Sequence, residues 1–261
     1  MNLNHLLSIN KSGINGLQKQ LDITAANIAN VNTVGYKKND ASFTELLHNA
    51  NTLDEVRIAN TAANQSINRG VAVNNQSVNF VQGGLVTTTS SWDMAIEGEG
   101  FFGVRDENNQ LYLTRAGNFQ RDAQGILRTN TGYKVAIDET VPQNQWPNGA
   151  ASIAANGTIT IQSNGQSLTV GKVILYKPEN NEMLQSVGNN LYQTTGNQAL
   201  MQSTNEPEEF GTIHNYQLEN ANVNLADSMT ELIVAQRAYS INLKALQTSD
   251  EMASVINRFT E

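Results

Sequence analysis

The sequence predicts an α+β fold in which coiled-coil-like helices at the two chain ends make one discontinuous domain around a central all-β domain. Three features predict it: an apolar repeat near the N-terminus, a matching repeat near the C-terminus, and a middle built of short β-branched or aromatic runs between turn signals.

Steps of four and three from Leu3 reach Leu7, Asn10, Ile14, Leu17, Leu21, Thr24, Ile28 and Val31, so seven of nine positions are apolar over four heptads. The helix should stop at residues 30–34, where Asn and β-branched residues precede Gly35, the residue type best suited to the left-handed conformation after a helix. A capping box, Ser42-Phe43-Thr44-Glu45, predicts one more short helix through Leu47. Residues 37–84 as a whole read as an extended connecting segment. Its stretch from Asn49 to Asn79 is rich in Asn, Gln, Ala and Ser and weak in periodicity, the pattern of an extended or poorly ordered connection.

From Leu85 the texture changes. Runs such as Leu111 to Arg115, Tyr133 to Ile137, Thr158 to Gln162 and Lys172 to Tyr176 alternate with turn chemistry at Asp122-Ala123-Gln124-Gly125, Asn156-Gly157 and Asn164-Gly165, which predicts a β domain over residues 85–205. Residues 206–221 read as a return linker or strand. The last helix should follow Asn224, whose side chain can cap free amides while Asp227 sits favourably at the positive helix end. The same stepping then visits Leu225, Met229, Leu232, Gln236, Tyr239, Leu243, Leu246, Asp250 and Ala253. Residues 1–36 and 222–261 thus form one helical domain assembled from both ends.

The chain of 261 residues has a formal net charge of -8, and its 16 Lys and Arg are scattered. That argues against nucleic acid as a partner, because phosphate binding needs a basic stripe that releases counterions. The absence of Cys removes disulfides, thiol nucleophiles and thiolate metal sites. No run of eighteen apolar residues provides a membrane span. Residues 1–8 have neither the basic start nor the compact apolar stretch of a cleaved secretory signal.

Candidate chemical sites fare poorly against their structural readings. Gly98-Glu99-Gly100-Phe101-Phe102-Gly103 spells a dinucleotide fingerprint, yet Val104-Arg105 leads into the turn-like residues 106–109, where a helix would have to face the pyrophosphate. The segment therefore reads as a Gly-punctuated strand that carries Phe101 and Phe102 into a β core. His5, His48 and His214 lie in unrelated segments without a metal-ligand pattern. Glu206, Glu208 and Glu209 around Pro207 read as a solvated loop. No catalytic, cofactor-binding or metal residues are expected, and no cofactor.

The helices carry the functional signal. One buried stripe on each leaves two isolated helices marginal, because ordering the backbone opposes it. In residues 1–36 the only charged side chains are Lys11, Lys19 and Asp22, whereas a helix facing solvent normally carries charge pairs. Small neutral residues elsewhere, with Gly13 and Gly16 inside the helix, suit burial among copies of the same or related chains.

Specific motifs agree. Ala26-Asn27-Ile28-Ala29-Asn30-Val31-Asn32-Thr33-Val34-Gly35-Tyr36-Lys37 closely resembles the N-terminal signature of the bacterial flagellar axial proteins, those of the rod and hook. Asn222-Val223-Asn224-Leu225, Gln236-Arg237-Ala238-Tyr239 and Lys244 through Met252 resemble their C-terminal signature. The segment from Gly98 to Phe102 and Leu113-Thr114-Arg115-Ala116-Gly117-Asn118-Phe119 resemble the start of their β domain, most like that of distal rod members, with proximal rod and hook-type members next. The resemblance implies a non-enzymatic subunit that passes the flagellar export apparatus and polymerises with copies of itself and other axial proteins into the tubular shaft of the basal body. The predicted assembly seam is then Leu3, Leu7, Ile14, Leu17, Leu21, Ile28 and Val31 with Leu225, Met229, Leu232, Tyr239, Leu243 and Leu246. Two readings from other classes remain open at this stage: a secreted β-rich binding module, such as an adhesin or carbohydrate binder on a helical stalk, and a hydrolase using a β-domain carboxylate.

Overall fold

The structure, a computed structural model, describes residues 3–48, 67–163, 165–195 and 200–259. The described residues of Met1–Ala29, Asn39–Ser77 and Asn224–Glu261 form one compact unit, and those of Asn30–Lys38 and Val78–Val223 form a second.

In the first unit, α1 (Leu3–Ala29) and α2 (Leu225–Phe259) pack along each other. The start of α2 is fixed by Asn224, whose Oδ1 accepts from the backbone N–H of Ala226 at 3.0 Å and of Asp227 at 3.4 Å, satisfying two of the donors a helix leaves free at that end. At the other end of α1, Asn27 is 1% exposed. Its amide donates to Asn39 O at 2.8 Å and accepts from Asn39 N at 3.0 Å, which ties the helix to the start of strand β1 (Asn39–His48). Strand β2 (Ile67–Val78) pairs with β1 in a two-stranded ribbon.

This ribbon corrects one expectation. The capping box at residues 42–45 starts no helix; these residues belong to β1. A lone helical turn fixes several residues for one hydrogen bond, whereas strand pairing satisfies the backbone along the whole segment. Strand β2 lies within the connecting stretch; residues 49–66 lie outside the described residues.

The second unit begins with the turn after α1. Thr33 N donates to Asn30 O at 2.9 Å and Tyr36 N to Thr33 O at 3.2 Å, and Gly35 takes φ +67°. A Cβ on Gly35 would meet the backbone of Arg115 and Ala116, so the position needs glycine both for its left-handed conformation and for that approach.

Beyond it come β3 (Leu85–Thr87), β4 (Met94–Glu97), β5 (Phe101–Arg105) and β6 (Leu111–Thr114). Strands β5 and β6 sit in a nine-stranded sheet with the antiparallel pair Leu184–Gly188 and Leu191–Thr194 at one edge. A four-stranded antiparallel sheet runs in the order Ile137–Glu139, Gln166–Val173, Thr158–Ser163, Ala150–Ile153. One core serves both sheets: Met94, Phe102, Phe119 and Leu127 are buried together with Ile153, Ile159, Ile161 and Val173. The Gly98 to Gly103 segment forms β5, with Phe101 2% and Phe102 0% exposed. Residues 206–221 join this unit through two pairings, Thr212–Asn215 with β4 and Gln217–Glu219 with β3.

Candidate assembly face and buried junction

Among the described residues of the two helices, the buried positions are Gly16, Ile23, Thr24 and Asn27 on α1 and Ser228, Ala235 and Ser249 on α2. On α2 they belong to the stripe 228, 232, 235, 239, 242, 246, 249, which repeats the four-and-three spacing and alternates small residues with Leu232, Tyr239 and Leu246. That stripe shares Leu232, Tyr239 and Leu246 with the leucine stepping read in the sequence and takes the residue one earlier at the alternate positions, so its mean direction is turned by about 50°.

The predicted seam residues fall around it. The side chains of Leu3 and Leu7 lie outside the described residues. Ile14, Leu17, Leu21 and Ile28 on α1 are half-buried, as is Val31 in the turn that follows; Leu232, Tyr239, Leu243 and Leu246 on α2 are half-buried too. Leu225 is 41% and Met229 49% exposed. Sequence reasoning missed Ile233, Val234, Ile241, Met252 and Val255, all of them about half exposed or more. With 100° per residue, Leu225 and Met229 lie about 80 to 120° to one side of Ala235, and Val234, Ile241 and Met252 about 100 to 120° to the other. α2 therefore carries two unfilled apolar flanks beside a face filled by small residues together with Leu232, Tyr239 and Leu246.

The second unit holds a buried charge cluster. Lys37, two residues past Gly35, is 1% exposed, Glu219 on the return strand 0% and Arg115 after β6 5%. Glu219 Oε1 accepts from Lys37 Nζ at 2.6 Å and from Gly83 N at 2.8 Å, and Oε2 lies 3.4 Å from Arg115 Nη1. Lys37 Nζ also donates to Val81 O at 2.9 Å, and Arg115 Nη2 to Gly98 O at 2.7 Å. The guanidinium stands 5.3 Å from the Phe101 ring centroid, within cation–π range. Asn222 adds a polar clasp, donating to Asn79 O at 2.7 Å and Val81 O at 2.9 Å and accepting from Lys38 N at 2.6 Å. The chain segment entering this unit and the one leaving it are thus fastened to each other and to the segment before β3.

Electrostatics follow from the count of two cations and one carboxylate. Burial pushes the Lys37 ammonium below its ordinary value, against the pull of Glu219, and pushes the Arg115 guanidinium down as well. The neighbouring Tyr192 hydroxyl is pushed up, first by burial and then by Tyr36 and Glu219. Spacing could not reveal this cluster, because Lys37 and Glu219 stand 182 positions apart. Lys37 and Arg115 did lie in the motifs that carry the resemblance; Glu219 did not. Among the described residues, no three His, Asp or Glu side chains gather as metal ligands. His214 Nε2 meets Glu97 Oε2 at 2.6 Å on the surface.

Comparison with known proteins finds the same three regions. Residues 7–37 match the family described as flagella basal body rod protein, residues 95–172 the D1 domain of the flagellar hook protein FlgE/F/G, and residues 215–259 the C-terminal region of flagellar basal body rod FlgEFG proteins. The chain is 33% identical to the flagellar basal-body rod protein FlgG of Agrobacterium fabrum, over 97% of this chain and 98% of that one. To FlgG of Bacillus subtilis it is 32% identical over 92% of this chain and 93% of that one. The flagellar basal-body rod protein FlgF of Caulobacter vibrioides is 33% identical over 91% of this chain and 90% of its own length.

Proposed function

The chain belongs to the flagellar hook and basal-body rod protein family, and from that membership we propose how it acts as a structural subunit of the basal-body rod, in its distal part. Its role is to polymerise rather than to catalyse, and its partners are copies of itself and the neighbouring axial proteins of rod and hook. The subunit reaches the growing rod through the flagellar export apparatus. The polymerising element is the helix pair α1 and α2.

One observation carries the mechanism: α2 fills its α1-facing stripe with Ser228 and Ala235 yet leaves Met229, Ile233, Val234 and Ile241 49%, 51%, 61% and 67% exposed. Burying an apolar side chain of this size is worth about 1.5–3 kcal/mol, so several per subunit, repeated along a polymer, give a strong gain without any new fold. The small residues let α1 and α2 approach closely; the larger ones on the flanks, including Leu225, Leu243 and the α1 residues Leu17, Leu21 and Ile28, meet other subunits. Leu3, Leu7, Ile14 and Val31 complete the assembly seam, while Leu232, Tyr239 and Leu246, on the stripe toward α1, hold the helix pair together.

The test is the double substitution Ile233→Asp, Ile241→Asp in the full chain. The purified monomer should keep its circular dichroism and thermal midpoint, because both side chains already face water, while cells carrying only this variant should lack it in isolated basal bodies and lose motility. Normal incorporation and swimming would exclude the flanks as the polymerising surface.

A further inference from the structure

The sulfur atoms on α2 have a chemistry that its packing role does not require. The chain has no Cys and six Met, so methionine thioethers are its oxidisable sulfur. Their environments differ: Met94 is 0% exposed in the β core, whereas Met229 is 49% and Met252 52% exposed. These two occupy opposite apolar flanks of α2, Met229 beside Leu225 and Ile233, Met252 beside Val255, all with large exposed surface. Each flank therefore carries one solvent-open thioether.

We infer that Met229 and Met252 are two oxidation sites, one on each flank, that control whether a subunit can enter the polymer. This rests on the reading of the α2 flanks as assembly surfaces. The oxidant is a hydroperoxide, with hydrogen peroxide the simplest case. A sulfur lone pair attacks the distal peroxide oxygen; the S–O bond forms as the O–O bond breaks, and the departing hydroxide takes up a proton as water. Sulfur loses two electrons and peroxide gains them. The product sulfoxide is polar and hydrogen-bond accepting, and an apolar flank closing on it supplies no donor. Oxidation thus falls on the waiting subunit, while burial in the polymer shields the same sulfur atoms. Met183, 43% exposed and remote from α2 in sequence, supplies an internal measure of peroxide dose.

The experiment treats purified full-length chain and isolated basal bodies with the same dilute hydrogen peroxide and follows each methionine by peptide mass spectrometry. Met229 and Met252 should oxidise as fast as Met183 in the free chain and at least tenfold more slowly in basal bodies, with Met94 slow in both. Peroxide-treated chain should assemble at least tenfold less well, by sedimentation of polymer or recovery in basal bodies. Methionine sulfoxide reductase should restore assembly, and Met229→Leu, Met252→Leu chain should resist the treatment. Unchanged assembly after full conversion of both sulfur atoms would overturn the proposal, as would equal peroxide sensitivity of the double leucine variant. If the leucine variant assembles poorly from the outset, rescue of the oxidised native chain by the reductase decides, and failure of that rescue counts against the sites. The reading beneath it fails separately, if Ile233→Asp, Ile241→Asp chain assembles normally.

Discussion

Glu219 holds opposite charge against both Lys37 and Arg115 in a site that is 0 to 5% exposed, so the two cations depend on it unequally with each other. Replacing Glu219 by Gln leaves two like charges buried without a counterion and should cost about 3–5 kcal/mol. Lys37→Met is milder. It leaves Arg115 paired with Glu219, keeps the Gly83 N–H on Oε1, and leaves Val81 O still accepting from Asn222, so a loss of roughly 1.5–3 kcal/mol is expected. Urea midpoints of the full chain measure both; equal losses would show that charge balance is not what holds the junction. The same site gives a pH signature. Because burial holds Lys37 below its ordinary 10.5, the unfolded chain binds more protons between the lowered value and 10.5, and stability should rise with pH across that window. Tyr192 acts oppositely: its raised value keeps the folded hydroxyl protonated while the unfolded one ionises from 10.0 upward, so its contribution is full below 10.0 and is lost as pH climbs further. Lys37→Met should abolish the rise that precedes 10.5 and leave the fall that Tyr192 brings, which thermal midpoints in an alkaline series would read directly.

At the scale of the helix, the small-residue stripe and the apolar flanks answer differently to substitution. Ser228 is 1% and Ala235 2% exposed, so Ala235→Leu forces bulk into a filled contact and should destabilise the α1–α2 pair by about 1–3 kcal/mol. Val234→Ser, one residue away but 61% exposed, should change monomer stability by no more than about 0.5 kcal/mol while weakening assembly. Helical circular dichroism of dilute chain separates them, and equal effects would mean that the rotation of α2 differs from the one described. These neighbours also mark how far the sequence was legible. Heptad spacing located both helices and the Asn224 cap because each depends on nearby residues. It could not choose between adjacent stripes, since both repeat by fours and threes, and only the partner helix decides that Ser228 and Ala235 face inward rather than Leu225 and Met229. The ribbon was missed for a related reason: the Ser42 to Glu45 box is a local signal, and its competitor, β2, lies some twenty residues downstream. The Lys37–Glu219 pair was hidden altogether, because no local pattern links residues so distant in sequence.

Across the whole chain, the two units should differ in resistance to unfolding. The β unit has a continuous core of Met94, Phe102, Leu127, Ile159 and Val173, each 0% exposed, and its chain ends are fastened by Lys37, Glu219 and Asn222. The helical unit buries a stripe of small residues and leaves its larger apolar side chains half exposed or more, so its hydrogen bonds open at lower free energy. Limited proteolysis of dilute monomer should therefore remove α1 and α2 first. On the return segment Ile213 is 3% exposed, residues 212–215 pair with β4, and Glu219 is the hub of the charge cluster. The resistant fragment should consequently extend to about Val223, and mass spectrometry should recover the segment around Lys37 bound to it under native conditions. Glu219→Gln should release that segment and shorten the fragment from its C-terminal side. A native core that ends near residue 205 would mean that the return strands are not held by the junction, and helices surviving as long as the core would mean that the small-residue stripe alone suffices to stabilise the pair before assembly.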